Sequence, residues 1–372
     1  MKLVSIWPSP WDYRLRDGIF ESGFSIRGSF KRAYNLWRER AAKVGFSLHT
    51  WDMRPVEEAK VLWFINLTKT KKEFMDIKKK YPTAVTVLQI NESPLLAPYM
   101  FHEENQRLFD YVVTYNAHGI NKSGHIHYHL PITIEKVDGN MPFSERRHVC
   151  IINSNRVEGW FGIRQNGIAG LPGIGSAFNG WKICLNDLFV NHNNGLYQDR
   201  RRLCRNAEKI PGLHFDIYGY GWSGEQISWF PLYPNKPYSR LVQKRIEDKI
   251  KVASKYRFNI AYENYRGNLG YIDIKIFDSI MAGSVPVYLG EERITDYVPE
   301  ECFVDARKFK SQRHLLEYLR DCPEEEWKRM RDAGQDFIRS DKIKPFTDEA
   351  FAERMVEVLK IIDRNGRVTN GG

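Results

Sequence analysis

The sequence predicts an α/β protein built as two domains in tandem facing a central cleft. Three observations predict it. Short apolar runs of strand type alternate with stretches of helical spacing along the first third of the chain. The segment Pro131 to Arg147, with Gly139, Pro142 and a charged SERR, then has the composition of a connection, after which the pattern restarts. Finally, Tyr256 to Gly290 reads as strand, polar loop, helix and strand.

In the first domain, Leu3 to Trp7, Val61 to Ile65, Ala84 to Ile90, Tyr111 to Tyr115 and Ile126 to Leu130 read as strands. Phe30 to Val44 reads as a helix, because Ala33, Trp37 and Val44 recur at helical spacing. In the second, Val149 to Ile152 and Phe215 to Tyr218 are expected strands, Asp199 to Ala207 a basic helix, and Tyr238 to Lys255 one long helix. The domains are expected at 1–145 and 146–345. Residues 346–372 should supply a last helix packing back across the pair, with Phe351, Met355, Leu359 and Ile362 on one side.

Within Tyr256 to Gly290, Arg257 to Ala261 forms the strand, Ile274 to Met281 the helix and Ser284 to Leu289 the second strand. Ligands of open α/β sheets sit beyond the carboxyl ends of strands. Glu263, Asn264, Tyr271, Asp273 and Lys275 therefore fall where an anion or sugar would bind. One such polar residue in a loop is ordinarily solvated. Five in one βα loop point to a site.

At 372 residues the chain accommodates two cores, and 42% hydrophobic with 27% charged residues is ordinary for a globular protein. The net charge of +10 suits an anionic partner, such as a nucleotide, a nucleic acid or an acidic membrane surface. No zinc-finger, RNP or KH signature is present, so a nucleic-acid partner is not expected. Five cysteines without a CxxC pair indicate free thiols. The N-terminal apolar burst, broken by Pro8 and Pro10, is too short for a signal peptide, and a cytoplasmic protein is expected. The lysine-rich segment Lys69 to Lys80 reads as a helix with Phe74 and Ile77 inward and a solvated basic face; peripheral association with the inner membrane face is the alternative.

The segments YEN (262–264), GYIDIK (270–275) and AGSVPVYLG (282–290) resemble the C-terminal signature of the family-ten α-1,3-fucosyltransferases. In that signature a strand ending in (F/Y)EN precedes a Tyr-(Val/Ile)-Thr-Glu-Lys motif and a VPVYLG-type strand. Asn91-Glu92-Ser93-Pro94 is similar to the family's (N/F)ESP motif, and Leu108 to Tyr111 to the LFDY that follows it. Asp199 to Leu203 with FDIYGYG at 215–221 resembles its arginine-bearing helix and next strand. The pieces keep the family's order from about Val85 to Tyr318.

The resemblance implies a GT-B fold of two Rossmann-like α/β domains. It implies an inverting, metal-independent transferase that moves fucose from GDP-fucose to a glycan hydroxyl. A role in bacterial polysaccharide biosynthesis is expected, because the sequence shows no anchor and stem of the kind a Golgi enzyme carries. By that resemblance Glu92 is the catalytic base, Arg200 binds the diphosphate, and Lys275 and Tyr271 contact the donor nucleotide, with Glu263 and Asn264 beside them. No Asp-x-Asp pair occurs, so arginine and lysine rather than a metal would offset the leaving charge. Of Arg200, Arg201 and Arg202, one is expected to function and the others to be solvated.

Two departures stand out. Asp273 replaces the motif threonine, and Ile274 replaces the glutamate expected at the ribose, so either Asp273 reaches the ribose or the donor is a related nucleotide sugar; a non-catalytic nucleotide- or glycan-binding protein on the same scaffold is the other alternative. Between Asn155 and Arg200 lies a glycine- and aromatic-rich stretch longer than a routine loop, an acceptor lid or a structural insert. His125, His127 and His129 alternate along one strand face; packing or cleft contacts are preferred over a metal site there.

Overall fold

The computed structural model describes residues 1–8, 15–20, 29–66, 71–95, 97–119, 124–135, 141–155, 194–222, 238–243, 248–267 and 269–366. Two six-stranded sheets, each parallel throughout, form the frame. The front sheet contains β1 (Lys2–Trp7), β2 (Phe46–Thr50), β3 (Ala59–Ile65), β4 (Val85–Ile90), β5 (Tyr111–Thr114) and β6 (His125–His127), in the order β2-β1-β3-β4-β5-β6. The rear sheet contains β7 (Arg147–Ile152), β8 (Phe215–Tyr218), β9 (Leu241–Gln243), β10 (Tyr256–Gly267), β11 (Val285–Glu291) and β12 (Val304–Asp305), in the order β12-β11-β10-β7-β8-β9.

Parallel strands need crossover connections, so helices cover the sheet faces and the inner strands become apolar throughout. Every residue of β4 is buried, as a central strand requires. The helices α1 (Ser29–Lys43), α2 (Lys71–Lys80) and α3 (Glu103–Gln106) belong to the front domain. The rear domain carries α4 (Tyr197–Ala207), α5 (Lys249–Ala253), α6 (Lys275–Met281), α7 (Gln312–Asp321) and α8 (Glu324–Arg339).

The last helix, α9 (Asp348–Asn365), returns to the front domain. Its N-cap Thr347 accepts from Ala350 N, and Phe351, Met355, Leu359 and Ile362 join the front core with Trp37 and Trp63. Phe351 meets Tyr34 edge to face at 5.5 Å. Burial of each such side chain contributes roughly 1.5–3 kcal/mol, which fixes the chain's return path.

Three expectations need correction. Tyr238 to Lys255 is not one helix: Leu241–Gln243 adds the edge strand β9 to β8, and helix α5 starts only at Lys249, where Asp248 Oδ1 accepts from Lys251 N at 2.9 Å. The cap and strand pairing override the helical spacing. Arg201 is not solvated but buried, donating to Asn155 Oδ1 at 3.4 Å. On α2, Lys78 reaches Leu108 O at 2.7 Å and so leaves the solvated basic face. The glycine-rich stretch at 156–193 lies outside the described residues, as do Lys69 and Cys184. Among the described residues no helix is long and apolar enough to cross a membrane.

Candidate active site

The site begins where β10 leaves its partner. β10 runs in register with β11 from Phe258↔Val285 to Tyr262↔Leu289, and the register then shifts. Glu263 follows Tyr262 directly and has no exposed surface. Its side chain fits because Gly290 opposes it: a Cβ at Gly290 would lie 2.4 Å from Glu263 Cγ.

Glu263 then organises the start of α6. Its Oε1 accepts from Asp273 N at 2.9 Å and its Oε2 from Lys275 Nζ at 3.0 Å. Lys275 Nζ also donates to Asp273 Oδ2 at 2.6 Å, and Ile274 N donates to Asp273 Oδ1 at 2.8 Å. Burial works against the Lys275 ammonium, but Asp273 and Glu263 outweigh it and hold its pKa above the usual lysine value. Burial likewise holds Glu263 above the ordinary carboxylate value, with Lys275 opposing. The net result is a protonated lysine shared by two carboxylates.

Arg200 approaches from α4. The segment before that helix pairs with the end of β10 through the Gly195↔Tyr265 bridge and Leu196 N to Asn264 O at 3.0 Å. Arg200 is buried and donates to Tyr262 O at 2.6 Å and Asn264 Oδ1 at 3.0 Å. Its Nε is buried without a hydrogen-bond partner among the described residues. Burial pulls its pKa down, while Tyr197, Glu263, Tyr271 and Asp273 oppose that pull. A buried cation with an unused N–H has spare capacity for an anionic ligand.

The two domains meet at two tyrosines. Tyr271, buried after Gly270, packs against Tyr115 at the end of β5, with ring centroids 5.2 Å apart. Gly270 adopts φ +80°, and a Cβ there would lie 2.8 Å from Tyr115 O, so only glycine allows this approach. Glu291 Oε2 holds the same turn, accepting from Leu269 N at 3.0 Å and Gly270 N at 2.6 Å. Ala117 N donates across the seam to Leu269 O at 3.2 Å.

Glu92 lies on the front side of this seam. It is half-buried just beyond β4, and its carbonyl accepts from Tyr115 Oη at 2.7 Å. The Tyr115 hydroxyl, pushed up in pKa by burial, also feels the charges of Glu92 and Asp273. Tyr271 feels those of Asp273, Glu263 and Glu92. The structure thus gathers Glu92, Glu263, Asn264, Tyr271, Asp273, Lys275 and Arg200 around one seam. Within it, Tyr271 is a buried contact between domains, and Glu263 is enclosed, with Lys275 and the Asp273 amide as its partners.

Sequence reasoning missed Tyr115, Asn66, Gly290 as a contact residue, and Glu291. Asn66 and Tyr115 directly follow the carboxyl ends of β3 and β5, a position that could have marked them. His127 and His129 form a T-shaped pair at 4.7 Å, with His129 also against Phe346 and Tyr297, in keeping with packing. Among the described residues no group of three or more His, Cys, Asp or Glu side chains could hold a metal ion.

Residues 187–331 match the family model described as Glycosyltransferase family 10 (fucosyltransferase) C-term. An α-(1,4)-fucosyltransferase of Arabidopsis thaliana is 36% identical over 67 residues, 18% of this chain and 16% of that protein. An α-(1,3)-fucosyltransferase of Helicobacter pylori is 28% identical over 75 residues, 20% of this chain and 16% of that protein. A GDP-fucose protein O-fucosyltransferase 3 of Bos taurus is 24% identical over 230 residues, 62% of this chain and 40% of that protein. The chain thus spans less than half the length of these relatives.

Among solved structures, an α1,3-fucosyltransferase with GDP-fucose superposes with a TM-score of 0.51 at 14% identity, covering 100% of this chain and 93% of that one. A sucrose-phosphate synthase of Thermosynechococcus elongatus gives 0.56 at 10% identity, covering 98% and 100%. At such identities the likeness concerns the fold, which is GT-B, as the sequence predicts.

Proposed function

We propose that this chain, whose residues 187–331 match the family model of the glycosyltransferase family 10 C-terminal region, transfers fucose from GDP-fucose to a glycan hydroxyl with inversion and without a metal. The observation that supports the reading is a chain of contacts across the seam: Tyr115, whose hydroxyl donates to the Glu92 carbonyl, packs on Tyr271, and Asn264 links the Tyr271 hydroxyl to Arg200.

In the proposed reaction Glu92 takes the proton of the acceptor hydroxyl as its oxygen attacks the anomeric carbon. The bond from that carbon to the diphosphate oxygen breaks, and GDP leaves with the electron pair. Arg200 and Lys275 are the cations assigned to the departing diphosphate, their positive charge offsetting the charge that develops on it. Attack opposite the leaving group inverts the anomeric centre. The test is turnover of GDP-fucose by Glu92→Gln, which should fall by roughly 10²-fold or more. Near-wild-type turnover would remove Glu92 from this role, and loss of activity in EDTA would remove the metal-independent mechanism.

One observation favours a second donor. Ile274 is half-buried against the core around Phe277 and Phe337 and offers no acceptor to a ribose, while both Asp273 oxygens already accept hydrogen bonds. A thermal-shift panel decides: stabilisation by UDP or dTDP sugars but not by GDP-fucose would replace the fucosyl donor.

A further inference from the structure

We infer that Asn66 is a positioning residue that fixes the Glu92 main chain for proton abstraction; this rests on the reading of Glu92 as base. Asn66 follows β3 directly and is buried, with φ +53°, a left-handed conformation that asparagine tolerates better than most side chains. Its N–H continues the ladder, donating to Gln89 O at 2.8 Å.

The left-handed turn brings the side chain to the end of the neighbouring strand. There a single oxygen, Asn66 Oδ1, accepts from Asn91 N at 2.8 Å and from Glu92 N at 3.3 Å. These are the first two amides beyond β4, where the strand ladder has stopped. Tyr115 Oη holds the other side of the same residue, donating to Glu92 O at 2.7 Å. The main chain of Glu92 is therefore clamped at both its N–H and its C=O, by residues from the two strands flanking β4.

A buried network locks the clamp. Asn91 Oδ1 accepts from Gln89 Nε2 at 2.9 Å, and Asn91 Nδ2 donates to Tyr34 Oη at 3.2 Å. Gln89 Oε1 accepts from Trp63 Nε1 at 2.8 Å, and Tyr128 Oη donates to Ile90 O at 2.8 Å. So many bonded polar groups in a core hold one geometry rather than several. Catalysis by a general base needs that precision, because small displacements of a base cost large factors in rate.

The amide is also the suitable chemistry. Glycine would supply the backbone conformation without the acceptor. Aspartate would supply both, but it would add a negative charge beside Glu92 and raise that carboxyl's pKa.

These differences make the test. Turnover of GDP-fucose by Asn66→Gly should show kcat reduced about 10-fold or more, with donor KM within about twofold and a cooperative melt retained. Asn66→Asp should keep more of the turnover but move the acid limb of the kcat profile upward by about one pH unit. A kcat within twofold of wild type for Asn66→Gly, or an unmoved acid limb for Asn66→Asp, would overturn the inference. If Asn66→Gly does not fold, the acid limb of Asn66→Asp alone decides. An active Glu92→Gln would overturn the underlying reading; an inactive Glu92→Gln beside unaffected Asn66 variants would overturn only this inference.

Discussion

Lys275 and Glu263 form an enclosed ion pair, Nζ to Oε2 3.0 Å, in which the carboxylate has no exposed surface and the lysine side chain only 15%. Asp273 completes the arrangement at 2.6 Å. Removing either partner leaves a buried charge short of its counterion, which typically costs about 3–5 kcal/mol. Lys275→Met leaves two carboxylates facing each other, whereas Glu263→Gln leaves Lys275 with Asp273. Urea denaturation should therefore rank Lys275→Met as the less stable, and the double variant should lose less than the sum of the two. Strict additivity would show that the pair is not coupled.

Gly290 makes room for that pair. A methyl group there would lie 2.7 Å from Tyr288 Oη as well as within contact of the Glu263 stem. Neither neighbour is a free end, because Glu263 is bonded at both oxygens and the Tyr288 hydroxyl accepts from Glu291 N at 3.0 Å. Gly290→Ala should destabilise by roughly 1–3 kcal/mol through overpacking and weaken donor binding with it. Calorimetry and donor titration would check both. A Tm unchanged within a degree would show that Glu263 can move aside.

His129 gives the fold an acid limit. Burial, then His127 and Arg354, push its pKa down to about 4. An unfolded histidine titrates near 6.5. The unfolded state therefore binds the extra proton first, and the stability present above about pH 6.5 is lost as pH falls toward 4, at most ~3 kcal/mol from this group. The slope of stability against pH between 6.5 and 4.5 should flatten in His129→Gln. An unchanged slope would assign the acid loss elsewhere.

Much of this was legible locally. The unit from Tyr256 to Gly290 was readable because its strand, turn and helix are each specified by adjacent residues, and Glu92 because Ser93 and Pro94 mark the strand end. What failed depended on distant partners. The burial of Arg201 depends on Asn155, and the edge strand Leu241–Gln243 exists only because β8 is there to pair with it. Asn66 reads as an ordinary loop residue until Asn91, far along the sequence, is seen to place its amide on it. Strand register brings such pairs together, and periodicity does not encode it.

Asp278 works in the opposite direction from His129 and lies closer to the site. It is on α6, one turn beyond Lys275, and burial raises its pKa to about 7, with Lys249 and Lys275 opposing and Asp273 and Glu135 reinforcing. The folded state keeps this proton longer than the unfolded chain, whose aspartates titrate near 3.9. Stability associated with the protonated form is thus lost as pH rises from about 4 through 7, at most ~4 kcal/mol. Asp278→Asn should be the more stable protein at pH 8 and little different at pH 4. Ionisation of Asp278 also places a third carboxylate near Lys275, so under the proposed function GDP-fucose should bind more weakly at pH 8 than at pH 6, and Asp278→Asn should remove that difference. Equal donor affinity of the wild type at the two pH values would show that Asp278 does not act on the donor site.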